Sequence, residues 1–324
     1  MKKLRGPKGT PVEVTISRPG MEDDFDVTLL RDKIPIVSVL ASFMIDENTG
    51  YIIVNRFSRT TTIELKEALL ELENNGMNQL LLDLRNNGGG MMSQAINIVD
   101  MFVSSYDTIL FTKGKIPGSS EVYRAKKNRR DKDYPVIVLI NRGSASASEI
   151  VSACLQDHDR AIIVGERTWG KGSVQNIISL EQGRSALKLT TAKYMRPSGK
   201  NIHRDKNAKP EDVWGVKPNN GYEVKYSNQE LRSLETQRRG RLIVHNGQPI
   251  EKTEEPENAF IDRQLVKAID YLLIKTDQKP ATEEKEPKAE EKEEKADPEA
   301  DTAAETEGTS STRPSRGRRG RRRP

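Results

Sequence analysis

The sequence predicts an α/β fold, and three observations support this prediction. Continuous apolar runs at 79–85 and 135–140 are typical of strands buried on both faces of a sheet. Each run is followed by a turn of small residues and then by a helical pattern, over 91–103 and 149–157. Because strand and helix patterns alternate along the chain, the fold expected is a sheet flanked by helices.

The remaining elements follow the same periodicities. Alternating polarity predicts strands over 12–18 and 25–30, and apolar content predicts strands over 51–57, 108–114 and 162–166. Helical spacing predicts helices over 62–75 and 262–273, the second one amphipathic. Two further strands, 173–180 and 185–195, flank Glu181–Gly183 and indicate a hairpin. Between 115 and 132 we expect a polar, exposed loop whose basic run at 126–130 is a solvated face.

Composition excludes several classes of protein. The 324 residues supply a core up to about residue 275, and no apolar run is long enough to span a membrane. Cys154 is the one cysteine, so no internal disulfide can form, and its apolar helical surroundings predict a core position. Residues after Met1 do not form the apolar segment of a secretory signal. The net charge of +5 is concentrated in the tail and is not a nucleic-acid footprint of the folded part.

Two short stretches carry candidate chemistry. Ser146 and Glu149 have the S-x-x-E spacing of a capping box, at a helix start whose free N–H groups can face a bound group. On spacing alone, the favoured interpretation of this stretch is a well-capped helix and nothing more. Lys171 lies between Gly170 and Gly172, where a lysine is usually solvated or binds phosphate. The G-x-x-x-x-G-K-[ST] pattern is absent, so we expect no nucleotide.

The stretches 143–150 (GSASASEI) and 156–175 (QDHDRAIIVGERTWGKGSVQ) together resemble the carboxyl-terminal processing peptidases, or tail-specific proteases. The resemblance implies a serine nucleophile in the first stretch and a lysine general base in the second. The family spacing of 25 residues before Lys171 selects Ser146 over Ser144 and Ser148. Gln175 matches the glutamine that assists the lysine. The resemblance implies no metal and no cofactor.

The chemistry of these residue types is consistent with that assignment. A serine hydroxyl is a weak nucleophile until a neighbouring base takes its proton. Lysine can be this base only as the neutral amine, which burial favours, so we expect Lys171 to point inward. Gln175 can orient the amine by a hydrogen bond, although an ordinary polar strand residue would look the same.

The glycine-rich loop after the strand at 79–85 resembles the family's D-L-R-x-N-P-G-G motif, with Gly88 where proline is usual. The resemblance implies an oxyanion hole made by the N–H groups of Gly89 and Ala147, with Gly90 as the alternative to Gly89. Glycine suits this role because the substrate must approach bare backbone. Asp83 and Arg85 are expected to fix the loop rather than to react. By itself, a strand, glycine loop and helix also fits a nucleotide-binding turn.

Three regions are expected. Residues 1–31 resemble the close of a PDZ domain, so we expect its C-terminal remnant, although a short amphipathic hairpin appended to the core is an alternative. Residues 32–275 are expected to form the peptidase core, which the resemblance makes crotonase-like. The family's strand and turn motifs recur at 189–202 and 215–219, with Asn219 in place of aspartate. Residues 276–324 are Glu/Lys-rich and then arginine-rich, and we expect them to be disordered.

The function expected is a serine endopeptidase that cleaves proteins near their C-termini or in unfolded segments. His158 lies 12 residues after Ser146, more than three helical turns away, so a Ser–His pair has little support. The alternatives are an inactive peptide-binding relative, a crotonase-like acyl-thioester enzyme, and a nucleic-acid binder using the arginine tail. Expected partners are polypeptides with accessible C-termini, weak contact of the tail with acidic polymers, and a homo-oligomer. The resemblance alone implies a bacterial cell envelope or periplasm.

Overall fold

The structure is a computed structural model, and it describes residues 3–18, 21, 23–33, 37–114, 120–126, 132–242, 244–245, 248–249 and 260–277. Two compact units divide the chain, Met1–Lys279 and Pro280–Pro324, and the second lies outside the described residues. Among the helices described here, none is long and apolar enough to cross a membrane.

Thirteen strands and five helices make up the described chain. The strands are β1 (Pro11–Ile16), β2 (Phe25–Leu30), β3 (Val39–Met44), β4 (Thr49–Val54), β5 (Gln79–Asp83), β6 (Thr108–Gly114), β7 (Val122–Arg124), β8 (Val136–Ile140), β9 (Ala161–Gly165), β10 (Ser173–Leu180), β11 (Ser185–Met195), β12 (Val244–His245) and β13 (Gln248–Pro249). The helices are α1 (Thr61–Asn74), α2 (Met92–Val99), α3 (Ala147–Asp157), α4 (Asn228–Leu242) and α5 (Arg263–Asp277).

The central sheet has five strands in the order β3-β4-β5-β8-β9, antiparallel between β3 and β4 and parallel elsewhere. Its side chains alternate between two cores. On β5, Leu80 and Leu82 pack in the larger core with residues of α1, α2 and α3, whereas Leu81 packs in a smaller core with Ala268 and Leu272 of α5. Both faces are therefore covered, which explains why β5 and β8 are continuous apolar runs.

A second, antiparallel sheet has the order β10-β11-β6-β7. Strands β1 and β2 form a separate hairpin, paired from Pro11 with Leu30 to Ile16 with Phe25. These findings confirm the predicted α/β class, with mixed sheets.

Several predicted elements differ from the observed ones. Helix α2 ends at Val99, because tighter turns follow it, while Phe102 and Val103 remain buried and prolong the apolar pattern. Strand β7 lies inside the segment predicted as loop, and most of the basic run there lies outside the described residues. Helix α4 was missed because its residues are mostly polar. Helix α5 extends to Asp277, past the predicted start of the tail at 276.

The order of the central strands brings three loops together. The glycine loop follows β5, the serine turn follows β8, and the lysine loop follows β9. These strands are parallel neighbours, so all three loops leave the same edge of the sheet. In open α/β sheets, this carboxyl edge is where ligands bind.

Gly165, at the end of β9, is required for the close approach of two strands. It has φ +124°, and a Cβ atom there would lie 2.0 Å from the carbonyl oxygen of Ile140. We expect Gly165→Ala to lower the free energy of unfolding by about 3 kcal/mol or more, from backbone strain and overpacking together. Urea unfolding measures the change.

The matched control is Gly183→Ala in the hairpin turn, which has φ +93° but no neighbouring atom within 4 Å of an added Cβ. This variant should cost only the backbone strain, about 1–2 kcal/mol. Equal losses in the two variants would contradict the role given to the contact with Ile140.

Candidate active site

Ser146 occupies a strained position between β8 and α3. Its φ of 58° and ψ of −112° lie outside the regions that residues with side chains normally adopt. It immediately precedes α3 and is half-buried. Strain of this kind costs about 1–3 kcal/mol and is concentrated at functional sites. The turn therefore holds one serine at the N-terminus of α3, in a strained backbone conformation that the sequence pattern did not predict.

The two neighbouring serines have structural roles. Ser144 Oγ donates to the carbonyl oxygen of Leu84 at 2.8 Å and accepts from the Asn141 N–H at 3.0 Å. Ser148 Oγ donates to the carbonyl oxygen of Asn87 at 2.8 Å. Both serines are fully buried. Their hydroxyls fasten the serine turn to the glycine loop, so neither is placed for chemistry.

The carboxylate of Glu149 joins the serine turn to the lysine loop. Its Oε2 accepts from the N–H of Ser146 and from the N–H of Lys171, each at 2.8 Å. Its Oε1 accepts from the hydroxyl of Thr168 at 2.6 Å and from the N–H of Gly170 at 2.7 Å. A single oxygen thus contacts the backbone nitrogens of Ser146 and Lys171. The bond to Ser146 is the Glu149 half of the predicted capping box.

Glu149 is completely buried. Burial raises the pKa of its carboxyl above the ordinary value, although the hydrogen bonds from Thr168, Ser146, Gly170 and Lys171 act in the opposite direction. A buried carboxylate without partners is very costly, and here both oxygens are filled by donors from the two loops.

Lys171 is exposed, which differs from the expected inward-pointing amine. Glu149 holds its backbone N–H rather than its side chain, and no hydrogen bond or ion pair of Nζ occurs within the part of the chain described. Gln175 is also exposed, on β10 just after a β-bulge, where it pairs with Thr190 of β11. The loops thus bring the backbones of Ser146 and Lys171 together, while the Lys171 side chain belongs to an exposed residue.

Gly89 packs directly against the serine turn. It has φ +92°, and an added Cβ would lie 2.5 Å from the carbonyl oxygen of Ala145, 2.8 Å from Ser146 Cβ and 2.9 Å from the backbone nitrogen of Ala147. The Gly89 N–H donates to Asn87 Oδ1 at 2.9 Å. The N–H of Gly90 has no acceptor among the described residues. Ala147 is the first residue of α3, where N–H groups lack an intrahelical acceptor.

A buried ion-pair cluster lies beneath the glycine loop. Arg85 donates through Nε and Nη2 to the Asp83 carboxylate, with the shortest contact at 2.7 Å. Its Nη1 donates to Asp262 Oδ1 at 2.9 Å and to Gln264 Oε1 at 3.1 Å. Arg85 therefore ties the end of β5 to the start of α5, as expected for a residue that fixes the loop.

The charge of Asp83 is also stabilised from α4. Burial disfavours the ionised carboxylate, but Arg238, with Nη2 3.2 Å from Asp83 Oδ2, and Arg85 outweigh it and lower the pKa of Asp83 to about 2. Tyr51 donates to the same oxygen at 2.5 Å. Two arginines and two aspartates thus balance their charges under the loop.

The histidines have no direct place in this arrangement. His158 caps the far end of α3, with Nε2 2.8 Å from the carbonyl oxygen of Thr108. His203 lies beside the lysine loop, because a Cβ added at Gly172 would be 2.4 Å from the His203 backbone nitrogen. The side chain of His245 lies outside the described residues.

Sequence reasoning missed three residues that build the site. Thr168 is buried and connects Glu149 to the N–H of Val216, which donates to its hydroxyl at 2.8 Å. Asn87 orients Gly89 and accepts from the N–H of Ala145 at 3.0 Å. Glu149 was seen as a helix cap only. The only trace of these residues in the sequence was that they are polar residues within loops of small residues. That pattern is typical of helix caps as well as of functional sites.

We expect Glu149→Gln to destabilise the protein by about 2–4 kcal/mol, since the amide nitrogen, in either orientation, would face at least one buried backbone N–H and leave it unsatisfied. Urea unfolding followed by circular dichroism measures this. The control Glu71→Gln lies at an exposed position on α1 and should change stability by less than about 0.5 kcal/mol. Equal stability of both variants would show that Glu149 does not hold the loops.

Comparison with known proteins places this geometry in a family. The sequence profile of Peptidase family S41 matches residues 48–220, more than half of the chain. A carboxy-terminal-processing protease of Bartonella bacilliformis is 40% identical over 204 residues, covering 62% of this chain and 46% of that protein. The carboxy-terminal processing protease CtpA of Bacillus subtilis is 40% identical over 208 residues, covering 64% and 43% respectively.

Among solved structures, the photosystem II D1 C-terminal processing protease is 30% identical, with a TM-score of 0.50, covering 68% of this chain and 57% of that one. A putative S41 protease from Bacteroides fragilis, 18% identical with a TM-score of 0.52, covers 81% of this chain and 66% of its own and shares the fold. The chain spans less than half the length of the two curated relatives above. On the extent of the profile match, the chain belongs to peptidase family S41.

Proposed function

We propose that this protein is a serine endopeptidase that cleaves polypeptides near their C-termini or in unfolded segments. Ser146 is the nucleophile, Lys171 the general base, and Gln175 orients the lysine amine. The observation that carries the proposal is the Glu149 oxygen that accepts from the N–H groups of both Ser146 and Lys171. This shared acceptor supports the pairing, because it holds together the backbones of two residues that lie 25 positions apart in the chain.

The reaction proceeds in two halves. Neutral Lys171 takes the Ser146 hydroxyl proton as Oγ attacks the peptide carbonyl, and the carbonyl electrons move to the oxygen. Lys171 then gives this proton to the departing amine, leaving an acyl-enzyme. A water molecule, deprotonated by Lys171, attacks the ester carbonyl, and the bond to Ser146 Oγ then breaks. Lys171 returns the proton to Oγ, which releases the carboxyl product and restores both the serine hydroxyl and the neutral amine.

Because Lys171 is an exposed residue, its amine requires a change of surroundings when substrate binds. We propose that bound polypeptide covers Lys171 and removes water from around the amine, which favours its neutral form. The side chain then turns toward Ser146, to which its backbone is already held by Glu149. In this proposal the backbone of the site is fixed before substrate binds, and only the Lys171 side chain changes position when it does.

The oxyanion is stabilised by backbone amides. The N–H of Ala147 at the start of α3 is one donor, and the glycine loop supplies the other. For Gly89 to act, its N–H must exchange Asn87 Oδ1 for the oxyanion, whereas the N–H of Gly90 needs no exchange within the described residues. The close packing of Gly89 on Ala147 supports a shared site for these donors.

The finer features of the chain follow the same proposal. We infer that residues 32–275 form a crotonase-like catalytic core and that 1–31 are the end of a PDZ domain. The charged tail expected over 276–324 begins within the last turn of α5 and from residue 278 lies outside the described residues. A cell-envelope or periplasmic setting fits the relatives, which include bacterial processing proteases and a chloroplastic one. The tail's arginines contact acidic polymers weakly, and the core is compatible with a homo-oligomer.

Ser146→Ala and Lys171→Ala should each lower kcat on β-casein by at least about 10³-fold, with the double variant little worse than either. Lys171→Arg should be equally inactive, because a guanidinium stays protonated and cannot accept the proton. Wild-type activity should rise with pH, since only the neutral amine is a base. A flat pH profile or an active Lys171→Arg variant would refute the lysine base.

Ser144→Ala is the matched serine control. It loses two buried hydrogen bonds and should be less stable, but its Ser146 should still react with a fluorophosphonate probe and the variant should still cleave β-casein. Retained β-casein cleavage by Ser146→Ala would refute Ser146 as the nucleophile. A crotonase-like acyl-thioester enzyme would instead turn over an acyl-thioester, and it would not lose that activity in Ser146→Ala. A wild type that binds β-casein without cleaving it would indicate an inactive peptide-binding relative.

Gly89→Ala should abolish cleavage, because an added Cβ overlaps the backbone of Ala145 and Ala147 and displaces the serine turn. Gly88→Ala is the control, since no atom lies within 4 Å of a Cβ at that position. It should retain kcat within about threefold, as kcat measurements on β-casein can show. Equal losses in the two variants would contradict the placement of Gly89 against the nucleophile.

A further inference from the structure

The hairpin of β10 and β11 has an unusually apolar exposed surface. Every residue from 175 to 190 is exposed, including five large apolar side chains with exposed fractions from 41% to 74%. Those residues are Ile177, Ile178, Leu180, Leu187 and Leu189. Because strand residues alternate between faces, and opposite residues share a face, the last four of these lie on one face.

Strand β10 is also an open edge. Among the described strands it pairs with β11 alone, so within this part of the chain its other side presents unpaired N–H and C=O groups. Proteins usually protect such edges with charged side chains or proline, yet residues 172–180 contain neither. An uncharged edge that includes β-branched and apolar residues among polar ones is a template to which another extended chain can add.

The position of this edge links it to the proposed catalytic site. Strand β10 begins two residues after Lys171 and includes Gln175. The N–H of Tyr194 in β11 donates to the Gly172 carbonyl oxygen at 2.7 Å, which fastens the base of the hairpin to the lysine loop. A strand added along β10 therefore has one end at the loop that carries the proposed base.

We propose that β10 binds an extended, apolar segment of the polypeptide substrate as an additional strand and leads it to Ser146. This inference rests on the proposed peptidase function and specifies its substrate. Main-chain hydrogen bonds to the edge hold any sequence in extended form, whereas Ile178 and Leu180 favour apolar residues on the matching face of the substrate. An unfolded segment meets both requirements, because its backbone groups are free to pair.

Binding is measured without catalysis, on full-length protein carrying Ser146→Ala, by fluorescence anisotropy. The probe is a fluorescein-labelled peptide of about ten alternating valine and threonine residues, enough to span a strand. Peptides N-methylated at single positions cannot donate there. Because only alternate amides of an added strand face the edge, methylation should raise the Kd at every second position and have little effect between them. A uniform effect, or no binding, would overturn the proposal.

Two variants on the same face of the hairpin distinguish binding along the β10 edge from binding to the whole apolar face. Ile178 in β10 and Leu187 in β11 are opposite each other, with exposed fractions of 41% and 44%. Ile178→Lys should raise the Kd about fivefold, the effect of one unfavourable cross-strand pair, whereas Leu187→Lys is one strand further away and should change it less than twofold. Equal effects would show that a partner covers the face instead.

Two further measurements distinguish the remaining outcomes. With Ser146 restored, Ile178→Lys should react with fluorophosphonate as wild type does, while its KM for β-casein rises about fivefold. If the wild type neither reacts with fluorophosphonate nor cleaves β-casein, the peptidase proposal fails. The alternation of Kd along the N-methylated peptides would still decide whether β10 binds an added strand. Sedimentation that shows a dimer dispersed by Ile178→Lys but not by the peptide would assign the edge to a second copy and overturn the proposal.

Discussion

The buried carboxylate of Glu149 is the interaction on which the site depends. Four donors from two loops converge on its oxygens, and two of them are the backbone amides of Ser146 and Lys171. Leaving the carboxylate unpaired in the core would cost several kcal/mol, so the loops are stable only when closed around it. The strain at Ser146 is sustained by this surrounding structure, since an isolated turn would relax.

The sheet determines which loops can reach that carboxylate. Adjacent parallel strands β5, β8 and β9 end at one edge and deliver the glycine loop, the serine turn and the lysine loop there. The glycine loop is also fixed from below, where Arg85 binds Asp83 and Asp262. Asp262 lies beyond residues 48–220, so the segment after the family match completes the support of the loop.

Sequence patterns predicted the buried strands, α3 and the three loops, because burial on both faces leaves a strong apolar signal. They did not predict α4, whose residues are mostly polar, or the end of α2, where buried turn residues continue the helical period. The spacing of the family motif indicated Ser146 and Lys171. It did not indicate that the backbone of Ser146 is strained or that Lys171 is exposed. Those properties depend on which loop packs on which, and Glu149 carries no mark in the sequence beyond that of a cap.

We propose that Ser146 and Lys171 act as a catalytic pair that is completed when substrate binds. A crystal structure of the protein with a peptide boronate tests this most directly, because boron forms a bond to the nucleophile and mimics the tetrahedral intermediate. We expect boron bonded to Ser146 Oγ, a boronate oxygen within hydrogen-bonding distance of the Ala147 N–H, and Lys171 Nζ in contact with Oγ. A boronate attached to another residue, or a Lys171 amine still facing solvent beside bound boronate, would contradict this proposal.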